Sequence, residues 1–253
     1  MFKKFDYDKF VSRNYLYISP ELQNKIKNTT LAFFGTGLSS SIVVACVRLG
    51  FTKFIFVDGD KVELHNLNRQ DFIYKSVGRS KVKALKIRAL KINPDLKIVT
   101  KMAYIKDVKE VKAYIDQSDI VINTIDFCKA NFDIIDYVRK ANKLIICPFN
   151  PGFGGITLNF TANSPSPYEI FSLENGFHDI AIIKQLFERY PEINTLNDTG
   201  LSLDDFLNNS QEKYFPQMVI SASITTGMVL NVIKRYLNGE AITIMPEIYY
   251  KKI

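Results

Sequence analysis

The chain reads as an α/β protein built on a Rossmann-like, doubly wound, mainly parallel sheet, with C-terminal antiparallel strands and an inserted crossover segment. Three observations predict this. Short apolar runs alternate with amphipathic helical segments from Leu31 to Pro148, a Gly35-Thr36-Gly37 turn joins the first strand to a helix, and Asp58 ends the second strand. The composition agrees: 253 residues, 47% hydrophobic, 13% aromatic and 23% charged, exclude disorder, collagen and coiled coil and leave ample material for a core.

Leu31 to Phe34 forms a short buried strand, and Ser41 to Leu49 carries the apolar content of a packed helix closed by Gly50. Lys53 to Val57 is the second strand. After a polar loop come a helix from about Ser80 to Ile92, a strand near Leu96 to Thr100 and a helix near Val108 to Ile115. Ile120 to Asn123, Ala130 to Ala141 and Lys143 to Pro148 continue the strand, helix, strand rhythm. Beyond Pro151-Gly152 the pattern changes: a strand at Gly155 to Phe160, then the turn-rich Asn163-Ser164-Pro165-Ser166-Pro167 and a polar, acidic section with one or two helices to about Tyr214. An uncharged helix and a last strand, Ile242 to Tyr250, complete the order. Residues 1–253 are expected to form one domain, with 1–28 a helical N-terminal arm and 163–214 the crossover insertion.

Tyr214 to Ile233 is uncharged and long enough to cross a bilayer. Pro216, Gln217, Ser221, Ser223, Thr225, Thr226 and Asn231 argue for a helix buried against the sheet instead, so no membrane association is expected. Cys46, Cys128 and Cys147 are isolated, with no CxxC pair, which points to a reducing, cytoplasmic compartment and no structural zinc. The net charge of +7 is uneven, basic from Lys75 to Lys112 and acidic from Glu169 to Glu212. Most of those lysines alternate with apolar residues at helical spacing, as on an ordinary solvated face.

Gly35 and Gly37 let the backbone approach a phosphate at a helix N-terminus, although Ser40 stands where the dinucleotide fingerprint has glycine. Asp58, about twenty residues on, suits the ribose hydroxyls. Together they suggest a nucleotide without saying which. The next segment is more specific: Asp58-Gly59-Asp60-Lys61-Val62-Glu63-Leu64-His65-Asn66-Leu67-Asn68-Arg69-Gln70, then Gly78-Arg79-Ser80-Lys81. It resembles the ThiF/MoeB/E1 superfamily of adenylate-forming activating enzymes, whose signature is DxDxVxxxNLxRQ followed by Gly-x-x-Lys. Arg13, Gln23 and Lys27, the strand ending in Asp126, and the last helix with Gly227 extend the resemblance over most of the chain; 163–214 matches least.

The resemblance implies ATP, Mg²⁺ and a partner, a small ubiquitin-like or sulfur-carrier protein or a peptide, whose free C-terminal carboxylate is joined to AMP. It implies that Arg69 and Lys81 clamp phosphates, Asn66 contacts the nucleotide, Asp58 holds the ribose and Asp126 holds Mg²⁺. It also implies a homodimer in which Arg13 reaches the partner's γ-phosphate. Plain alternatives exist for four of these: surface ion pairing for Arg69, a solvated helix residue for Lys81, a surface arginine for Arg13, a helix cap for Asp126. Leu38 and Ser40 replace glycines of the family's first loop, and Phe127 replaces a common Asn. No cysteine occurs from 150 to 253, so adenylation without a thioester on this chain is expected; Cys128, Cys46 and Cys147 read as small buried side chains. His65 adjoins Asn66, and His178 lies in the insertion. Phe153, with Gly152, Gly154 and Gly155, suits either a channel for a glycine-rich tail or a plain turn. Three other readings compete: a tRNA threonylcarbamoyladenosine dehydratase-like enzyme, with nucleic acid otherwise not expected, a non-catalytic E1-like scaffold, and a nicotinamide dehydrogenase, which Asn66 to Gln70 and Lys81 disfavour.

Overall fold

Seven strands form one sheet in a computed structural model that describes residues 4–173, 179–194, 200 and 216–252. They are β1 (Thr30–Phe34), β2 (Lys53–Val57), β3 (Lys97–Lys101), β4 (Ile120–Asn123), β5 (Leu144–Phe149), β6 (Gly154–Phe160) and β7 (Tyr249–Lys252), in spatial order β3-β2-β1-β4-β5-β6-β7. β1 to β5 are parallel, whereas β6 and β7 run antiparallel. Connections leave β1 in both directions, so the strand order reverses between β1 and β4. In an open α/β sheet that reversal splays two loops apart at the carboxyl ends and leaves a crevice for a ligand.

Period-two alternation feeds two cores. Leu31, Phe33, Phe54, Phe56, Ile120 and Ile122 face one side, and Ala32, Phe34, Ile55, Val57 and Val121 the other. The first face is covered by α2 (Pro20–Asn28), α3 (Ser40–Leu49), α4 (Lys81–Leu90) and α9 (Val219–Leu237), the second by α5 (Lys112–Asp116), α6 (Lys129–Lys140), α7 (Pro167–Ile170) and α8 (Asp179–Arg189). The short α1 (Tyr7–Val11) completes the N-terminal arm. Strands buried on both faces lose their solvent-facing alternation, which is why the central ones are near-continuous apolar runs.

Three element boundaries differ from expectation. The helix expected near Val108 to Ile115 is a 3₁₀ turn, Val108–Glu110, followed by α5. The last strand pairs only from Tyr249 to Lys252, because a turn at Met245-Pro246 interrupts it and Pro246 has no N–H for a ladder. The uncharged helix begins at Val219, and no described helix is long and apolar enough to cross a membrane. The expectations that fall on 174–178, 195–199 and 201–215, His178 included, lie outside the described residues.

Candidate nucleotide-binding site

The loops after β1 and β4 meet at the strand reversal. Gly35 is held at φ +79°, and a Cβ there would lie 2.7–2.8 Å from Thr124 side-chain and backbone atoms. Glycine is required on both counts, conformation and space. Thr124 Oγ1 in turn donates to the Gly35 carbonyl at 3.0 Å. Among the described residues the N–H groups of Gly37, Leu38 and Ser39, just ahead of α3, make no hydrogen bond. Open donors with the positive end of a helix dipole behind them suit a phosphate.

Asp58 staples this loop. Its Oδ2 accepts from Thr36 N at 2.6 Å and from Thr36 Oγ1 at 2.9 Å, while Oδ1 accepts from Asp60 N at 2.7 Å. A carboxylate offers about four lone-pair positions, so one remains for a ligand hydroxyl. The side chain read as the ribose ligand is therefore also the one that fixes the glycine turn. Ser40, where glycine was expected, has a comparable use: its Oγ donates to Gly37 O at 2.7 Å and accepts from Asp71 N at 2.9 Å. The hydroxyl ties the glycine turn to the segment carrying Arg69. Leu38 packs against the first core.

Lys81 reaches Asp60 through local pairing. Val62 N donates to Arg79 O, Lys81 N to Asp60 O, and Lys61 bridges Ser80, which sets residues 60 and 81 opposite one another. Lys81 Nζ then lies 2.8 Å from Asp60 Oδ2 with a side chain only 10% exposed. A cation in the first turn of α4 opposes the helix dipole, and Asp60 offsets this. Burial alone would raise the Asp60 pKa, but the Lys81 bond and charge, helped by the Tyr104 hydroxyl, hold it below the usual range. Tyr104 lies over Gly59, where a Cβ would come within 2.6–2.8 Å of its ring.

Asp126 stands exposed at the rim, after β4. Its carboxyl is nonetheless pushed above the ordinary range, first by partial removal from water, then by the negative charges of Asp60 and Asp58, with Lys81 pulling the other way. Asn131, 2% exposed on α6, fixes this loop by donating Nδ2 to Ile125 O at 2.8 Å. Phe127 packs against the second core.

A 3₁₀ turn, Leu64–Asn68, presents Arg69. Asn66 organises it: Oδ1 accepts from Glu63 N at 3.0 Å and the Asn66 carbonyl accepts from Arg69 N and Gln70 N. The Arg69 guanidinium donates from Nη1 to His65 O and Asn68 Oδ1, both at 2.9 Å, and burial lowers its pKa. His65 contributes through its carbonyl, while its ring is exposed beside Glu63.

Other expected residues fall elsewhere. Arg13 is exposed in the N-terminal arm, without a hydrogen bond or ion pair among the described residues. Gly154 and Gly155 are not a channel: Tyr250 fills the space beside the first, and Thr225 and Met228 that beside the second. Cys46 and Cys147 are fully buried, which pushes their thiols up, and Cys128 is half-buried at the N-cap of α6. No group of three or more His, Cys, Asp or Glu among the described residues encloses a metal. Thr36, Tyr104 and Asn131 were missed by sequence reasoning. Only Thr36 carried a signal, its place between Gly35 and Gly37.

Comparison with known proteins adds ancestry to this geometry. Over 145 residues the chain is 33% identical to tRNA threonylcarbamoyladenosine dehydratase of Bacillus subtilis (strain 168), covering 52% of this chain and 57% of that protein. Over 117 residues it is 32% identical to ubiquitin-like modifier-activating enzyme 5 of Branchiostoma floridae, covering 43% and 29%. The chain thus spans less than two thirds of either relative. Among solved structures, selenomethionine PaaA superposes with a TM-score of 0.72 at 18% identity, covering 100% of this chain and 81% of that one. E. coli MccB with AMPCPP and MccA gives 0.69 at 18% identity, covering 99% and 73%. These likenesses show a shared fold. The ThiF family model matches residues 11–240, nearly the whole chain, and with the signature segment assembled around one crevice the chain belongs to the ThiF family.

Proposed function

We propose that this chain is an ATP-dependent adenylyltransferase that activates the C-terminal carboxylate of a small carrier protein or peptide. The observation that carries the reading is the convergence, at the strand reversal, of the Gly35 loop, Asp58, the Asp60–Lys81 pair and Asp126. A terminal carboxylate, with a pKa of about 3.5, is ionised at neutral pH and needs no general base. Its oxygen attacks the α-phosphorus of ATP, a new P–O bond forms, and the bond to pyrophosphate breaks. The chain's task is to align the groups and hold charge, not to move a proton.

In this reading Lys81 exchanges Asp60 for a phosphate oxygen, Arg69 takes another, and Asp58 receives a ribose hydroxyl. Asn66 contributes its amide nitrogen. Asp126 suits Mg²⁺ by chemistry: it is a hard oxygen donor whose pKa is raised first by partial removal from water and then by the neighbouring negative charge of Asp60 and Asp58, which a cation would relieve. With one such donor, phosphates and water would have to complete the coordination, and the ion would supply neutralisation of the triphosphate. No cysteine lies between 150 and 253, so transfer of the acyl group to a thiol on this chain is not part of the proposal.

A homodimer completes the reading. Tyr15, Leu16 and Tyr17 are 75%, 83% and 90% exposed just after Arg13, an apolar surface that a second copy would cover. A tRNA-directed activity is the second reading, favoured by the B. subtilis relative. A non-catalytic scaffold is the third, disfavoured by retention of Asp58, Asn66, Arg69, Lys81 and Asp126 together.

The test is ATP–pyrophosphate exchange with Mg²⁺, adding carriers with a free Gly-Gly terminus, peptides, or tRNA separately. Exchange that requires a free carboxylate and drops at least about a hundredfold in Arg69→Ala and Asp126→Ala supports the proposal. Dependence on tRNA instead moves the assignment to the second reading, and ATP binding with no exchange under any addition favours the scaffold.

A further inference from the structure

Arg69 has five N–H donors, and the fold has already committed three of them. Both N–H bonds of Nη1 go to His65 O and Asn68 Oδ1, and Nε donates to Gln217 Oε1 at 3.0 Å. The two N–H bonds of Nη2 have no partner among the described residues. The first two acceptors come from the 3₁₀ turn beside Arg69 itself, whereas Gln217 is 148 positions away, just ahead of α9. Turn acceptors move with Arg69 and leave its outer torsions free to swing about the Nη1 contacts. An acceptor on Nε, delivered from another element, removes that freedom.

We propose that Gln217 is a positioning residue for Arg69: its side-chain carbonyl pins the guanidinium so that the Nη2 edge is the one presented to the anionic groups of the nucleotide. The inference rests on the nucleotide reading above. A neutral acceptor is chemically apt, because a carboxylate at 217 would pair with the arginine and cancel the charge that the phosphate needs, whereas an amide orients the guanidinium and leaves its charge intact. Arg69 is half-buried, so water competes poorly for Nε and the amide contact is worth more than at an open surface. A second consequence concerns connectivity. Gln217 lies in the short stretch that leads into α9, so this hydrogen bond joins the first-half signature motif to the C-terminal half at the site itself.

The experiment measures ATP–Mg²⁺ affinity by calorimetry for the full chain and for Gln217→Met, a near-isostere lacking the acceptor, each with and without Arg69→Ala. The arginine Nε–H resonance of Arg69, assigned by its loss in Arg69→Ala, is followed by NMR in parallel. Gln217→Met is expected to weaken ATP binding about five- to tenfold, to speed solvent exchange of the Arg69 Nε–H, and to leave the thermal midpoint near that of the parent. In the Arg69→Ala background it is expected to change affinity by less than about twofold, since the contact it removes is no longer there. Gln217→Leu serves as a second acceptor-free variant should Met fold poorly. Unchanged affinity in both variants, or a further loss on top of Arg69→Ala, overturns the inference alone. A parent chain that binds no ATP overturns the nucleotide reading and this inference with it.

Discussion

Asp126 occupies a position that a carboxylate resists and a cation favours. Its folded pKa is raised, so ionisation is harder in the native state than in the unfolded chain. The sign follows: below the ordinary carboxylate range both states are protonated and nothing is lost, and as pH climbs through the raised value the folded state carries a growing cost. Asp126→Asn should therefore raise the thermal midpoint of the ligand-free protein slightly near pH 7, with the gain vanishing near about pH 3, while abolishing exchange. A midpoint that falls at neutral pH would show that Asp126 is structural. Asp60 has the opposite sign, since Lys81 keeps its pKa down and that stabilisation disappears as pH falls through the lowered value. At this scale the sequence was informative where a motif fixes residue types at short spacing, as for Asp58, Arg69 and Lys81. Tyr104, Asn131 and Gln217 act on those residues across gaps that no local pattern spans.

Strands and helices followed from periodicity, because burial on one face or two dictates which positions are apolar. β1, β2 and β4 needed nothing more. The β7 boundary did not follow, since Ile242 to Tyr250 alternates acceptably and only the missing N–H of Pro246 and its turn stop the pairing. The β1-to-α3 connection is the element most sensitive to substitution. Gly35→Ala places a side chain at positive φ and against Thr124, and should cost at least about 1–2 kcal/mol from conformation alone, read by urea denaturation. Ser40→Gly, which restores the family's usual residue, should weaken rather than improve ATP affinity. It removes the hydroxyl that couples Gly37 to Asp71. An improved affinity, measured by the same calorimetry, would show that the tether is dispensable.

The candidate site residues gather at one end of the sheet, and in the proposed homodimer a second copy would complete the site there. If Arg13 acts across a dimer, Arg13→Ala and Arg69→Ala proteins, each inactive, should recover about a quarter of parental exchange when mixed as equal parts and allowed to reassort, because half the dimers then hold one intact composite site. No recovery, with both variants dimeric by sedimentation, would remove Arg13 from the site. The mainly parallel sheet was readable from alternation; the place of the reversal between β1 and β4 was not, nor was the exposure of Tyr15 to Tyr17, which depends on which helices happen to cover them. One feature of the crevice bears on what the molecule admits. At the strand ends Lys81 pairs with Asp60, and the Asp126 carboxyl feels the negative charges of Asp60 and Asp58 as well as that ammonium, so three carboxylates share one lysine's neighbourhood in a chain of net charge +7. On the reading proposed above, that local negative charge favours a triphosphate accompanied by its divalent ion over a bare phosphate, and Asp126→Asn should narrow the difference between the two in a binding titration.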